Sequence, residues 1–131
     1  MMRRLFLALL MLCAGCSDDE ITGDSTSTGA YTLRTVNGAP PPYTIASGSE
    51  AGTTIISDII TLYDGFTFAE VVQFRGPTGG AVQSKTLTGR WELFGNSITL
   101  RINETGTSRL AKGDGATMTF VESGTTSVYR K

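Results

Sequence analysis

The chain has two cysteines, Cys13 and Cys16, and no histidine, and this limits its chemistry at once. Histidine is the usual general base and metal ligand near neutral pH, so Ser-His-Asp and Cys-His relays are excluded. No cysteine lies beyond Cys16, so no disulfide staples the rest of the chain, which must hold itself by its core. Glu70 and Glu92 come nearest to a carboxylate pair, but Glu92 falls on the polar face of its segment. Strict alternation puts Glu70 on the face of Phe68 and Val72, which reads as inward. A buried carboxylate is costly unless paired. Glu70 therefore needs an arginine partner or a water, unless a bulge or a rim position takes it out of the core. Trp91 reads as a plug at the floor of a core, with a ligand platform as the alternative. Gly113-Asp114-Gly115 carries too few oxygen ligands for a calcium loop and reads as a turn. Asp18-Asp19-Glu20 lacks the folded frame that fixes a coordination geometry, so it reads as a solvated segment. These readings name no cofactor or metal and point away from an enzyme.

The segment that positions Cys16 is the start of the chain. Arg3-Arg4 precedes an apolar run, Leu5 to Leu12, and small residues follow. A basic start, a short apolar run and a small-residue break point make a secretory signal. The run is too short for a bilayer, which takes about 20 apolar residues. Leu12-Cys13-Ala14-Gly15-Cys16 resembles the lipobox of bacterial lipoproteins, although Cys13 stands where that family usually has leucine. The resemblance implies cleavage before Cys16 and attachment of a diacylglycerol and an acyl chain to it. Residues 1–15 are then a signal peptide. Two or more acyl chains hold firmly to a membrane where one does not. Ser17 after the cysteine implies, by the enterobacterial pattern, the outer membrane facing the periplasm. Residues 16–29 are polar and small, a flexible tether with a root-mean-square reach of roughly 20 Å.

Charge narrows the partners. The 131 residues carry a formal charge of −1, and removing Arg3 and Arg4 leaves nine basic against twelve acidic residues, about −3. Nucleic-acid binding needs clustered lysine and arginine, so none is expected.

The elements that must position Glu70 and Trp91 follow from the alternation. Leu87, Gly89, Trp91 and Leu93 share one face, and Ile98, Leu100 and Ile102 share one face of the next segment, with Gly95-Asn96 between them. This is a hairpin with one buried and one wet face. Upstream lie a strand from Ala30 closed by Asn37-Gly38, a rim crossing at Pro40–Pro42, and short Tyr43–Ala46. A long strand over Thr53–Tyr63 follows, and then Asp64-Gly65, read as a two-residue hairpin turn into Phe66–Arg75. In Thr53–Tyr63, Ile56, Ile60 and Leu62 fall on one face and Ile55, Ile59 and Tyr63 on the other. A bulge near Ser57-Asp58 would re-aim it. Downstream come Thr107–Lys112, a strand with Met118 and Phe120 facing one way, and Thr126–Lys131. The expectation is all-β: one antiparallel up-and-down meander of eight or nine strands over residues 30–131, closed or nearly closed into a barrel.

Tyr31-x-Leu33, Asn37–Pro42, Asp64–Phe68, Gly89–Asn96 and Tyr129–Lys131 together resemble the small lipocalin-like domains of bacterial lipoproteins. The resemblance implies a barrel with a binding pocket. From it we expect a cavity lined by Tyr31, Leu33, Phe68, Trp91 and Phe120 that takes a small apolar or amphipathic ligand. The alternative is a non-enzymatic structural lipoprotein with a filled barrel, docking an envelope protein through an outer patch of Ile55, Ile59 and Tyr63.

Overall fold

The structure is a computed structural model that describes residues 26–131. Cys16, the signal segment 1–15 and the tether up to residue 25 lie outside the described residues. Nine strands follow in order: β1 Gly29–Val36, β2 Tyr43–Thr44, β3 Thr54–Leu62, β4 Thr67–Gly76, β5 Gly79–Phe94, β6 Ser97–Ile102, β7 Ser108–Gly113, β8 Thr117–Glu122 and β9 Thr125–Arg130. The described residues contain no helix.

Each strand from β3 to β9 pairs antiparallel with the next, β9 returns to β1, and β1 pairs with β3. The sheet is therefore a closed eight-strand barrel. The edge of β3 is shared, since its residues 59–62 face β1 and its residues 54–55 face the short β2. β2 is thus a ninth strand laid against one rim. Closure removes the free edges that an open meander would expose.

The alternation seen in the sequence becomes the inside and outside of the barrel. Ile98, Leu100 and Ile102 of β6, Met118 and Phe120 of β8, and Trp91 of β5 are buried. With Tyr31, Leu33, Val36, Ile60, Leu62, Phe68, Ala111 and Tyr129 they form one continuous core. The core is made by neighbouring strands whose inward residues meet across the barrel, so no helix is needed to cover it.

Three local readings change. In β3 the register shifts between Ile55 and Ser57, so Ile56 is the extra residue of a bulge. The bulge turns Ile55 inward, against the core with Ile60 and Leu62, so Ile55 does not join Ile59 and Tyr63 on the outer surface. The β3–β4 connection is also longer than a two-residue turn. Tyr63 N–H donates to Thr67 O at 2.9 Å, which leaves Asp64, Gly65 and Phe66 as a three-residue loop, and Gly65 and Phe66 both adopt positive φ. Finally, the ordered fold starts before residue 30. Gly29 already belongs to β1, and Ser27 is buried, its carbonyl accepting the Tyr31 hydroxyl at 2.7 Å.

Candidate functional site

The barrel has two unlike ends. At one, the loops Asp64–Phe66, Gly95-Asn96 and Asp114–Ala116 close over packed side chains. Trp91 is the plug: it is 1% exposed, its Nε1 donates to Tyr63 O at 3.0 Å, and the Phe66 ring stacks on it at 5.0 Å. The described chain begins at this end, where Lys131 Nζ donates to Thr26 O. At the other end, the start of β3, the end of β4 and the start of β9 help to line a cavity of about 390 Å³, with β3 and β4 still paired there. Its wall is apolar, built from Leu33, Val36, Ile45, Ile55, Val72, Phe74 and Leu87, with Tyr43 of β2 beside them. Glu50 and Lys85 add two charges to the lining.

A belt of inward polar side chains separates the cavity from the packed half. Asp58 of β3 and Glu70 of β4 are 7% and 2% exposed. Glu70 lies opposite Ile60, and Asp58 lies opposite Val72, so the two carboxylates are diagonal neighbours on one face of adjacent strands. Arg109 of β7 reaches Glu70 from across the barrel, Nη1 to Oε1 at 3.3 Å. It also grips Glu122 of β8, Nη2 to Oε1 at 2.7 Å and Nε to Oε1 at 3.0 Å, with its guanidinium 4.1 Å above the Phe120 ring. The Tyr129 hydroxyl donates to Asp58 Oδ2 at 2.7 Å. Asp58 Oδ1 is buried and has no hydrogen-bond partner among the described residues. Asp58, Arg109 and Tyr129 all line the cavity and form its polar floor.

The electrostatics follow from this crowding. Burial pushes the Asp58 carboxyl up to about 8, and the neighbouring Glu70 carboxylate reinforces the shift, while Tyr129 and Arg109 act against it. Burial disfavours the charge on Arg109, but its hydrogen bonds to Glu122 and the charge of Glu70 outweigh it, so the guanidinium is held more firmly charged than usual. Burial, followed by the Asp58 charge, drives the Tyr129 phenol well above its ordinary range, which keeps it a donor.

Of the five residues expected to line a cavity, the structure puts only Leu33 there. Tyr31, Phe68, Trp91 and Phe120 belong to the packed core, at 0%, 2%, 1% and 0% exposure. They are large aromatic residues on inward faces, and in a small barrel such residues meet and fill the interior. Glu70 keeps the inward position that alternation gives it, and Arg109 is its partner. Asp58, Arg109 and Tyr129 were not singled out in the sequence. Asp58 shares the inward alternation of Ile60 and Leu62, but the bulge expected at Ser57-Asp58 masks that signal; the bulge falls at Ile56 instead. For Arg109 the available signal is its inward alternation with Ala111.

No protein-family model matches the chain, and no curated protein matches its sequence. Among solved structures it superposes on the crystal structure of a lipocalin-like protein from Bacteroides uniformis ATCC 8492, with a TM-score of 0.51 and 16% identity. The match covers 81% of this chain and 98% of that one. The fold is lipocalin-like. At this identity the likeness carries the architecture alone. A lipocalin-like barrel open at one end is suited to ligand binding.

Proposed function

We propose that this protein is an envelope lipoprotein whose lipocalin-like barrel holds a small apolar or amphipathic molecule in its open end. The observation that carries the reading is the 390 Å³ cavity with apolar walls over a polar floor. Its size falls in the range of small-molecule sites, roughly 300–1,000 Å³, and so does its make-up of apolar lining with a few placed polar groups. The barrel holds its ligand and catalyses nothing. The anchor is the lipid on Cys16, and the expected location is the outer membrane facing the periplasm. Residue 26 lies at the closed end, so the chain leaves the barrel opposite the mouth, and a flexible tether there keeps the mouth clear of its own attachment. Two experiments test the two halves. Native mass spectrometry of protein purified from its own cells should show a bound small molecule that denaturation releases; apo protein alone, and no binding of apolar probes, counts against the ligand half. Replacing Cys16 with serine should move the protein from the membrane to the soluble fraction; unchanged membrane retention counts against the anchor.

The second reading, action through the outer surface, rests on a different patch from the one expected. Leu110 and Val121 are 57% and 70% exposed on the outer faces of the paired strands β7 and β8. Of the expected patch, Ile59 and Tyr63 remain outside. Crosslinking in cells would reveal an envelope protein partner on these faces.

A further inference from the structure

The cavity is apolar in its walls and acidic at its floor, and this combination restricts what it can hold. Asp58 and Glu70 stand side by side at the boundary of the packed half, and Glu122 joins them through Arg109. Two carboxylates therefore share one guanidinium, and a third carboxyl, Asp58, stands beside them. Arg109 points Nε and Nη2 at Glu122 and Nη1 at Glu70. Asp58 Oδ2 accepts from Tyr129, whereas its buried Oδ1 has no donor among the described residues and only the neighbouring Glu70 carboxyl to share the Asp58 proton with. A buried oxygen without a donor is costly, and this one belongs to a residue lining the cavity. The complement is a group that brings hydrogen-bond donors and positive charge on an apolar body. A carboxylate head would have to crowd Glu70 and Asp58 to reach Arg109, and otherwise has Lys85 to pair with.

Resting on the ligand-holding reading above, we propose that the ligand is a small primary-amine amphipath, bound with its ammonium group on Asp58 and its apolar body against Val72, Phe74 and Leu87. The charged and titratable groups facing this position are Glu70 from β4, Arg109 from β7 and Tyr129 from β9, with Lys85 of β5 and Glu50 of the loop before β3 lining the same cavity. The raised pKa of Asp58, about 8, adds a signature. Below that pH an arriving ammonium displaces the proton from Asp58, so binding releases a proton to solvent.

The test compares three probes with one tail, octylammonium, octanoate and 1-octanol, titrated calorimetrically into the full-length protein in detergent-free buffer. The expected result is that octylammonium binds at least about tenfold more tightly than the other two, as one ammonium–carboxylate hydrogen bond implies. Repeating the titration in buffers of different ionisation enthalpy should show close to one proton released per ligand at about pH 6.5, and almost none at about pH 9.5. Asp58→Asn keeps an acceptor for Tyr129, so it should fold as well as the parent. It should lose at least about tenfold in octylammonium affinity, and the proton release with it. Octanoate binding equally or better, with the loss appearing in Lys85→Ala instead, overturns the amine assignment and leaves the ligand-holding reading standing. Equal binding of octanol, or octylammonium binding unchanged in Asp58→Asn, does the same. Failure of all three probes to bind overturns both.

Discussion

At the residue scale the belt around Arg109 governs how this barrel responds to pH and to mutation. Asp58 has a folded pKa of about 8, well above the ordinary carboxylate value of about 4. The folded state therefore keeps a proton that the unfolded chain loses. The contribution is fully present below about pH 4, declines as pH rises through the window, and is gone above about pH 8. Glu104 and Asp114 behave in the opposite sense. Backbone amides, of Thr88 for Glu104 and of Ala116 and Thr117 for Asp114, hold their carboxylates below the usual range, so their contribution is lost only in acid. The windows do not overlap, and the upper one, from about pH 4 to 8, belongs to Asp58. Urea midpoints at about pH 5, 7 and 9 should fall for the wild type. They should stay level for Asp58→Asn, whose amide does not titrate; a parallel fall in both proteins rejects the assignment. Arg109→Leu should be among the most damaging single changes, at about 3–5 kcal/mol, because it strands Glu70 in the core without its cation. Replacing both, Glu70→Leu with Arg109→Leu, should recover much of that loss. A double variant no better than the single one would mean that Arg109 acts through its contact with Phe120 and Glu122 instead.

At the scale of strands, the barrel curls where a side chain is missing. Gly89 of β5 sits opposite Ile102 of β6, and a Cβ built on it would lie 1.8 Å from Arg101 O and 2.8 Å from the Phe68 ring. The close approach of two backbones leaves no room for a methyl group, and neither neighbour can retreat without opening the β5–β6 ladder. Gly89→Ala should therefore cost more than about 3 kcal/mol, a loss typical of severe core overpacking. Thermal unfolding reads it directly; a drop of only a degree or two would show that β6 shifts freely. The same scale decides what could be read in advance. Alternation in β4, β5, β6 and β8 needed no tertiary knowledge, because each strand has one apolar face, and the closed barrel follows from a meander with short turns. β3 was harder to read. Its Ile-Ile-Ser-Asp-Ile-Ile run is apolar on both faces, so only pairing with β4 fixes where the bulge falls and which isoleucine turns in. The candidate site suffered for the same reason. Asp58 falls where the sequence suggests a bulge, and nothing in Thr107–Lys112 marks Arg109 as a partner for Glu70. Inward aromatics such as Phe68 and Phe120 suggested a cavity lining where they in fact fill the core, since alternation tells which way a side chain points and not how deep along the barrel it lies.

The whole molecule is a tube filled from one end, and depth along its axis is the property that matters for ligand binding. Trp91, the single tryptophan, sits in the filled half against Phe66 and Tyr63. The cavity lies beyond the polar belt, lined by Phe74 and Leu87. A ligand in the mouth touches neither the indole nor the carbonyl it is bonded to, so intrinsic tryptophan emission should stay unchanged on saturation. Phe74→Trp moves a reporter into the wall. Phe74 is only partly buried and borders open space, so the larger ring has room to turn toward the mouth at little cost in stability. Its emission should shift to the blue as an apolar ligand replaces water around it, while Trp91 supplies a constant background. The experiment separates the two halves of the barrel in one titration. A response from Trp91 in the wild type would place the ligand on the wrong side of the Asp58–Arg109 belt, in the recess that Phe66, Trp91 and Leu93 line at the other end.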